Sequence, residues 1–160
     1  IGPKDTLGTV YFDRLFPMGV DAMLESVDLV KAGKAPRVKQ DESKATYEGR
    51  ATPDIARIDW GKSWRQIDPL IRGCNPAPGA WTTLDGKNLQ IFDIQPLPAR
   101  DPKGIGGKYG EIVDVPADGF TVVVPDGRIK ILRVKPADGP KVAAGEWGAA
   151  AKVAVGARLV

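Results

Sequence analysis

Gly61-Lys62-Ser63 ends like a phosphate-cradling loop, in which backbone N–H groups and a lysine hold a phosphate at a helix start. Residue 56 is Ala where the first glycine of that loop must stand, so the competing reading is a helix cap at Ser63. Gly104-Ile105-Gly106-Gly107-Lys108-Tyr109-Gly110 has the outline of a dinucleotide fingerprint, but Tyr109 fills the third glycine position. A strand pattern follows it rather than a helix, and the segment reads as a mobile loop. The sequence holds no histidine and one cysteine, Cys74. A histidine metal site is excluded, and one thiolate does not make a zinc centre. With no histidine to take its proton, Cys74 is a poor nucleophile and reads as a small packing residue. Asp59, Asp68, Asp85 and Asp93 have no spacing that brings two carboxylates together by rule. Trp60, Trp64, Trp81 and Trp147 can stack on bases or rings, and core and turn packing accounts for them as well. No catalytic, cofactor-binding or metal-ligating residue is assigned. Two polar residues remain in the run Ile71-Arg72-Gly73-Cys74-Asn75-Pro76-Ala77-Pro78-Gly79-Ala80-Trp81. Arg72 and Asn75 are candidates for substrate contact, or for satisfying the corner the run forms.

The elements that must position them fall in two parts. In residues 5–33, Leu7, Val10, Tyr11 and Leu15 share one helical stripe, with Asp5 or Thr6 as cap. Phe16-Pro17-Met18-Gly19 is expected to interrupt it. A second helix follows, with Val20, Met23, Leu24, Val27 and Val30 on one face and Asp21, Glu25, Asp28 and Lys31 on the other. Gly33 caps it and Pro36 stops it. So apolar a stripe needs a partner surface. Residues 34–55 read as a charged linker, with a short extended piece at Thr46–Gly49. Thr52-Pro53 resembles a helix start. Ser63 caps a third helix that carries Trp64, Ile67, Leu70 and Ile71 inward and ends at Gly73; Pro69 inside it is expected to kink it or to limit its first turns.

From Ala80 the punctuation changes to strands and tight turns. Strands are expected at 81–84, 89–94, 110–115, 120–124 and 128–134, with turns at Asp85-Gly86, Ala117-Asp118-Gly119 and Pro125-Asp126-Gly127. Pro96 to Gly107 reads as a loop. In the last strand the apolar positions run Ile129, Ile131, Leu132, Val134, a slip that a β-bulge produces. Five short hairpin-joined strands favour a small closed barrel of the OB type, completed by a helix near 143–153 and a strand at 157–160. The fold class is α+β: an N-terminal helical segment, a linker, then an OB-like β-barrel.

The chain has 160 residues and a formal net charge of +3. That excess permits phosphate contact but falls short of a nucleic-acid footprint. The longest apolar runs are too short to cross a bilayer. No secretory signal is visible, and the lone cysteine fits a reducing compartment, so a cytoplasmic location with no membrane partner is expected. The sequence opens on Ile1 rather than Met, which suggests a piece of a longer protein; a trimmed terminus explains it equally.

A family resemblance spans most of these segments in order. Asp5-Thr6-Leu7-Gly8-Thr9-Val10-Tyr11 looks like the helix that follows the catalytic residues of folate-dependent formyltransferases. Gly33–Arg37, Gln40-Asp41-Glu42 and Ala45-Thr46-Tyr47 resemble that family's interdomain linker. Ala56-Arg57-Ile58-Asp59-Trp60, Ile71-Arg72-Gly73, Asn75-Pro76 and Pro78–Trp81 resemble its C-terminal domain, as does the hairpin at Asp126-Gly127. The family often has His-Asn where Asp68-Pro69 stand and tryptophan where Ala77 stands. The segments around the linker resemble the hydrolase domain of formyltetrahydrofolate dehydrogenases slightly more than methionyl-tRNA formyltransferases, and sugar-nucleotide formyltransferases share much of the pattern.

The resemblance implies that residues 1–33 close a Rossmann-like catalytic domain that is cut short here, 34–55 are linker, and 56–160 are an OB-like C-terminal domain. It implies 10-formyltetrahydrofolate bound by that missing N-terminal domain, with an Asn-His-Asp set handling the formyl carbonyl. The chain alone would be inactive and would help position an acceptor: tRNA-borne amine, amino sugar or water. The alternative is a standalone OB-type module for nucleic acid or another polyanion.

Overall fold

Thr6 sets the start of the first helix. Its hydroxyl accepts the Thr9 N–H at 3.2 Å, and the Thr9 hydroxyl accepts the Thr6 N–H at 3.0 Å, a reciprocal cap. The computed structural model describes residues 1–99 and 106–160, which fold as two units, Ile1–Arg50 and Ala51–Val160. In the first unit, α1 (Leu7–Val10), a π-helical turn (Tyr11–Leu15) and α2 (Phe16–Lys31) follow one another without a gap. The expected break at Phe16–Gly19 therefore does not occur. Proline in a helix interior collides with the carbonyl four residues back and lacks an N–H. The wider π turn immediately before Pro17 relieves both problems, because the Phe16 N–H reaches back to the Tyr11 carbonyl. The helix closes at Gly33, with the Lys34 N–H on the Leu29 carbonyl at 2.9 Å. Leu15, Phe16, Met18, Met23 and Leu24 all stay exposed. The linker contains one 3₁₀ turn, Glu42–Lys44, and the extended piece expected at Thr46–Gly49 forms no strand.

In the second unit, Thr52-Pro53 opens a turn rather than a helix: the Ala56 N–H already closes on the Thr52 and Pro53 carbonyls. Helix α3 (Trp64–Gly73) follows, with Ser63 as N-cap and Ile67 and Ile71 buried. It runs through Pro69. Strands β1 (Ala80–Leu84), β2 (Lys87–Pro98), β3 (Ile112–Asp114), β4 (Phe120–Val124), β5 (Gly127–Pro136) and β6 (Val142–Ala143) form one antiparallel sheet. Its order is β1-β2-β5-β4-β3, with β6 on β5. Helix α4 (Ala144–Ala150) follows β6 directly.

The expected closed barrel is not formed. A barrel needs the ladder to return from its last strand to its first, and here β1 and β3 do not pair. The strand expected at 157–160 supplies isolated bridges instead, Leu159 to Leu84 and Arg158 to Glu111. These leave the sheet open. Strand β2 is longer than its alternation predicts, because Pro96 and Pro98 pair within it. Strand β1 covers only Lys87–Ile91, so past Ile91 that edge of β2 pairs with no strand among the described residues and tolerates a missing N–H. The rest of the expected Pro96–Gly107 loop lies mostly outside the described residues, as do Gly104 and Ile105 of the glycine-rich motif.

The slip expected in β5 is present. Between the pairs Asp93/Arg133 and Ile94/Ile131 the ladder skips Leu132, and between Ile91/Val134 and Asp93/Arg133 it skips Phe92. Each skip reverses which residues face inward. Ile67, Ile91, Phe120, Ile129, Ile131 and Val134 thus share one core.

Candidate functional site

The N-terminus of α3 already holds an anion, the chain's own. The Trp64 N–H donates to Asp126 Oδ1 at 2.8 Å, and Arg65 Nη1 pairs with Asp126 Oδ2 at 3.0 Å. Asp126 belongs to the β4–β5 turn, so this contact pins the helix to the sheet. Gly61-Lys62-Ser63 is therefore the entry to a capped helix: the Gly61 N–H is spent on Asp59 Oδ1 at 2.9 Å. The four tryptophans are placed by packing and turns. Trp60 Nε1 donates to Thr82, Trp81 Nε1 to the Pro53 carbonyl, and Trp147 tilts against Phe120. Trp64 is partly buried beneath the Arg65 guanidinium. Cys74 is buried as the C-cap of α3, and desolvation pushes its thiol pKa upward, the reverse of what a nucleophile needs.

The run from Ile71 to Trp81 forms the corner between α3 and β1. Asn75–Pro76 and Ala77–Pro78 are both cis. Of the two sequence candidates, Arg72 pairs with Asp68 across one helical turn, Nε to Oδ2 at 2.9 Å. Asn75 donates Nδ2 to the Phe92 carbonyl at 3.2 Å. A second latch runs from Gln90 Nε2 to the Pro78 carbonyl at 2.9 Å. Gly79, at φ 86°, closes the corner; a Cβ there would meet Gln90 Nε2 at 2.7 Å and the Phe92 ring at 3.1 Å. The corner thereby lies over the bulge of β2.

Beside it stands a group of cations that the sequence reading misses. Phe92 is 6% exposed yet sits apart from the main core, because the bulge turns it to the other face. The Lys141 ammonium lies 3.5 Å above its ring, a cation–π contact. The β5–β6 register pairs Arg133 with Ala143 and Val134 with Val142; Lys135 and Lys141 follow just past that ladder, and the charges of Arg133 and Lys135 act on Lys141. Like charges brought close together disfavour one another. Asp93 is the register partner of Arg133, but among the described residues no ion pair joins Arg133, Lys135 or Lys141 to a carboxylate. The patch brings Arg133, Lys135 and Lys141 of one short stretch onto Phe92 of a strand well before it in the sequence. The only local sign of it is the pair of basic residues, Arg133 and Lys135, just past the slip in β5.

Burial, then the charges of Arg133 and Lys135, hold the Lys141 pKa below the ordinary lysine value. The folded chain thus gives up this proton at lower pH than the unfolded chain does. Between the lowered pKa and the usual 10.5 the unfolded state binds more protons, so this group makes stability rise with pH. Urea unfolding across the alkaline range is expected to show that rise in the wild type, and Lys141→Gln to remove it. An identical alkaline slope in the variant would contradict the assignment.

Residues 50–152 match the family described as formyl transferase, C-terminal domain. The chain belongs to that family. As a formyl transferase C-terminal domain it is 36% identical over 136 residues to the methionyl-tRNA formyltransferase of Moorella thermoacetica, covering 85% of this chain and 42% of that protein. It is 34% identical over 151 residues to the cytosolic 10-formyltetrahydrofolate dehydrogenase of Xenopus laevis, covering 91% and 17%. The chain thus spans half or less of the length of these relatives. Among solved structures, a multiply substituted variant of HypX from Aquifex aeolicus superposes with TM-score 0.71 at 17% identity, over 94% of this chain and 26% of that one. HypX in complex with tetrahydrofolic acid superposes at 0.64, also at 17% identity, over 85% and 23%. At that identity the likeness is one of fold. No helix among the described residues is long and apolar enough to cross a membrane.

Proposed function

We propose that this chain is the non-catalytic C-terminal portion of a 10-formyltetrahydrofolate-dependent formyltransferase or hydrolase, and that it helps to position the acceptor. The observation that carries this reading is the family match over residues 50–152, together with longer relatives named a methionyl-tRNA formyltransferase and a 10-formyltetrahydrofolate dehydrogenase. The chemistry supports the same division. Formyl transfer passes through a tetrahedral intermediate that needs oxyanion donors and a base working near neutral pH. The sequence has no histidine to be that base, and the Cys74 thiol is shifted the wrong way.

The folate itself does not fit the described residues. A reduced pterin and its formyl carbonyl call for an enclosed slot with unspent polar groups aimed into it. Two clefts of the Ala51–Val160 unit are edged by exposed charged side chains, and the buried side-chain polar atom without a partner among the described residues, Trp64 Nε1, lines neither. The cofactor is therefore assigned to an N-terminal catalytic domain beyond these residues. In this reading the exposed stripe of α2 belongs to that domain's packing, residues 34–55 link the two, and the whole works in the cytoplasm.

Among acceptors, the Arg133–Lys135–Lys141 patch favours one that carries phosphates, such as tRNA, over water. In this reading Arg72, paired with Asp68 on α3, and Asn75, which ties the adjoining corner to β2, position that corner beside the same substrate. The test is release of tetrahydrofolate by the full-length protein, with and without aminoacyl-tRNA. Arg133→Ala with Lys135→Ala is expected to raise the acceptor KM by roughly tenfold and leave kcat little changed, with a weaker salt dependence than wild type. The 160-residue chain alone is expected to release none. Formyl transfer or hydrolysis by that chain would defeat the division of labour. An unchanged KM would remove the patch from it.

A further inference from the structure

Where the sheet stays open, a cleft of about 660 Å³ lies between residues 54–61 and the strip Arg158–Val160. Its floor is apolar and buried: Ile58, Trp60 and Leu159 are each 5% exposed or less. The floor is also firmly held. Trp60 Nε1 donates to Thr82 Oγ1 at 3.0 Å, and the Leu159 N–H to the Gly110 carbonyl at 2.9 Å. The rim carries both signs of charge, Asp54 and Asp59 with Arg57 and Arg158.

Those four charges do not satisfy one another. Elsewhere in this unit Asp126 pairs with Arg65, Asp68 with Arg72 and Asp118 with Lys130. Around the cleft, among the described residues, no such pair forms. The Arg57 guanidinium stacks over Trp81, 5.5 Å from the ring centre. That contact holds the guanidinium beside the ring without using its N–H groups. Arg158 gives only Nε, to the Tyr109 carbonyl at 3.0 Å. A guanidinium has five N–H donors, so both arginines keep the fork that suits a carboxylate. Asp59 accepts the Gly61 N–H with one oxygen and keeps the other.

We propose that this cleft binds a ligand bearing a free carboxylate and a free ammonium together, an α-amino acid or a short peptide. A plain anion would meet Asp54 and Asp59, and a plain cation would meet Arg57 and Arg158. A zwitterion satisfies both pairs, while Trp60, Tyr109 and Leu159 take an apolar side chain. The volume lies within the usual range for small-molecule sites and leaves room for more than one residue. This cleft does not depend on the acceptor-positioning reading.

The test is an amide NMR titration of the full 160-residue chain with alanyl-phenylalanine, free phenylalanine, and the N-acetylated and C-amidated dipeptides. The unmodified dipeptide is expected to move the Trp60 indole and Gly61 amide signals with a Kd of about 1 mM or below. Acetylation removes the ammonium and amidation the carboxylate, and each is expected to weaken binding roughly tenfold. Free phenylalanine binding as well as the dipeptide makes an amino acid the natural ligand; weaker binding makes it a peptide end. Arg158→Gln is expected to weaken the dipeptide roughly tenfold. The ligand arms decide without it if that variant unfolds. No shift at about 10 mM dipeptide, or equal binding of either blocked form, overturns the proposal.

Discussion

Phe120→Ala is expected to cost about 3–5 kcal/mol of unfolding free energy. The phenyl ring is 0% exposed, the largest of the fully buried side chains. It sits at the start of β4 opposite Ile131 and meets Trp147 of α4 with ring centres 6.2 Å apart. Removing it opens a cavity where sheet and helix meet. Neither side is free to close that cavity: β4 is paired to both β3 and β5, and α4 follows β6 without a loop. Since a domain is stable by only about 5–15 kcal/mol in total, the loss is a large share of what is available. Urea unfolding should show a lower midpoint with an unchanged slope. A loss under about 1 kcal/mol would mean that the interface closes over the space.

Strand β4 was legible in the sequence because Phe120–Val124 is a short apolar run between two turn signals. The bulge was legible because Ile131 followed at once by Leu132 breaks a period of two. What failed had a partner or neighbour that a local pattern does not record. Pro17 reads as a breaker, and a π turn just before it lets the helix continue. Pro96 and Pro98 read as loop, and they lie in a strand because β1 stops short of them. Closure of the sheet depends on whether residues 157–160 form a ladder or single bridges, and their spacing is the same in either case.

The candidate site divides in the same way. Arg72 and Asn75 stand out because they are the polar members of a rigid run, and the structure gives each a partner on a flanking element, Asp68 of α3 and the Phe92 carbonyl of β2. The patch beside them did not stand out. Arg133 and Lys135 read as the solvent face of a strand, and Lys141 as part of a turn. Only the ladder between β5 and β6, and the bulge that turns Phe92 outward beneath Lys141, make them one group. The cleft at the open seam is hidden for a similar reason: Asp54 and Arg57 are about a hundred residues from Arg158 along the chain, joined by bridges that carry no sequence signature.

Gly145→Ala and Gly148→Ala, three residues apart in α4, are expected to have opposite effects. On propensity alone both should help, since alanine is favoured over glycine inside a helix by about 1 kcal/mol. At Gly145 the new methyl would drive into the carbonyl group of Ala117 and lie 2.9 Å from the Gly119 nitrogen. Both are backbone atoms of the β3–β4 turn, so no side-chain rotation relieves the clash. Either the turn or α4 must move, and overpacking of this kind costs about 1–3 kcal/mol or more. The turn leads into Phe120, so its displacement also disturbs the core. At Gly148 the nearest atom is Phe120 Cδ1 at 3.8 Å, followed by Val153 carbons at 3.9 Å, ordinary contact distances. That methyl fills space against apolar groups and keeps the propensity gain, so Gly148→Ala should be neutral or stabilising by up to about 1 kcal/mol. Thermal unfolding of the two variants side by side checks the pair. Equal shifts would mean that α4 does not press on the turn in the way its geometry requires.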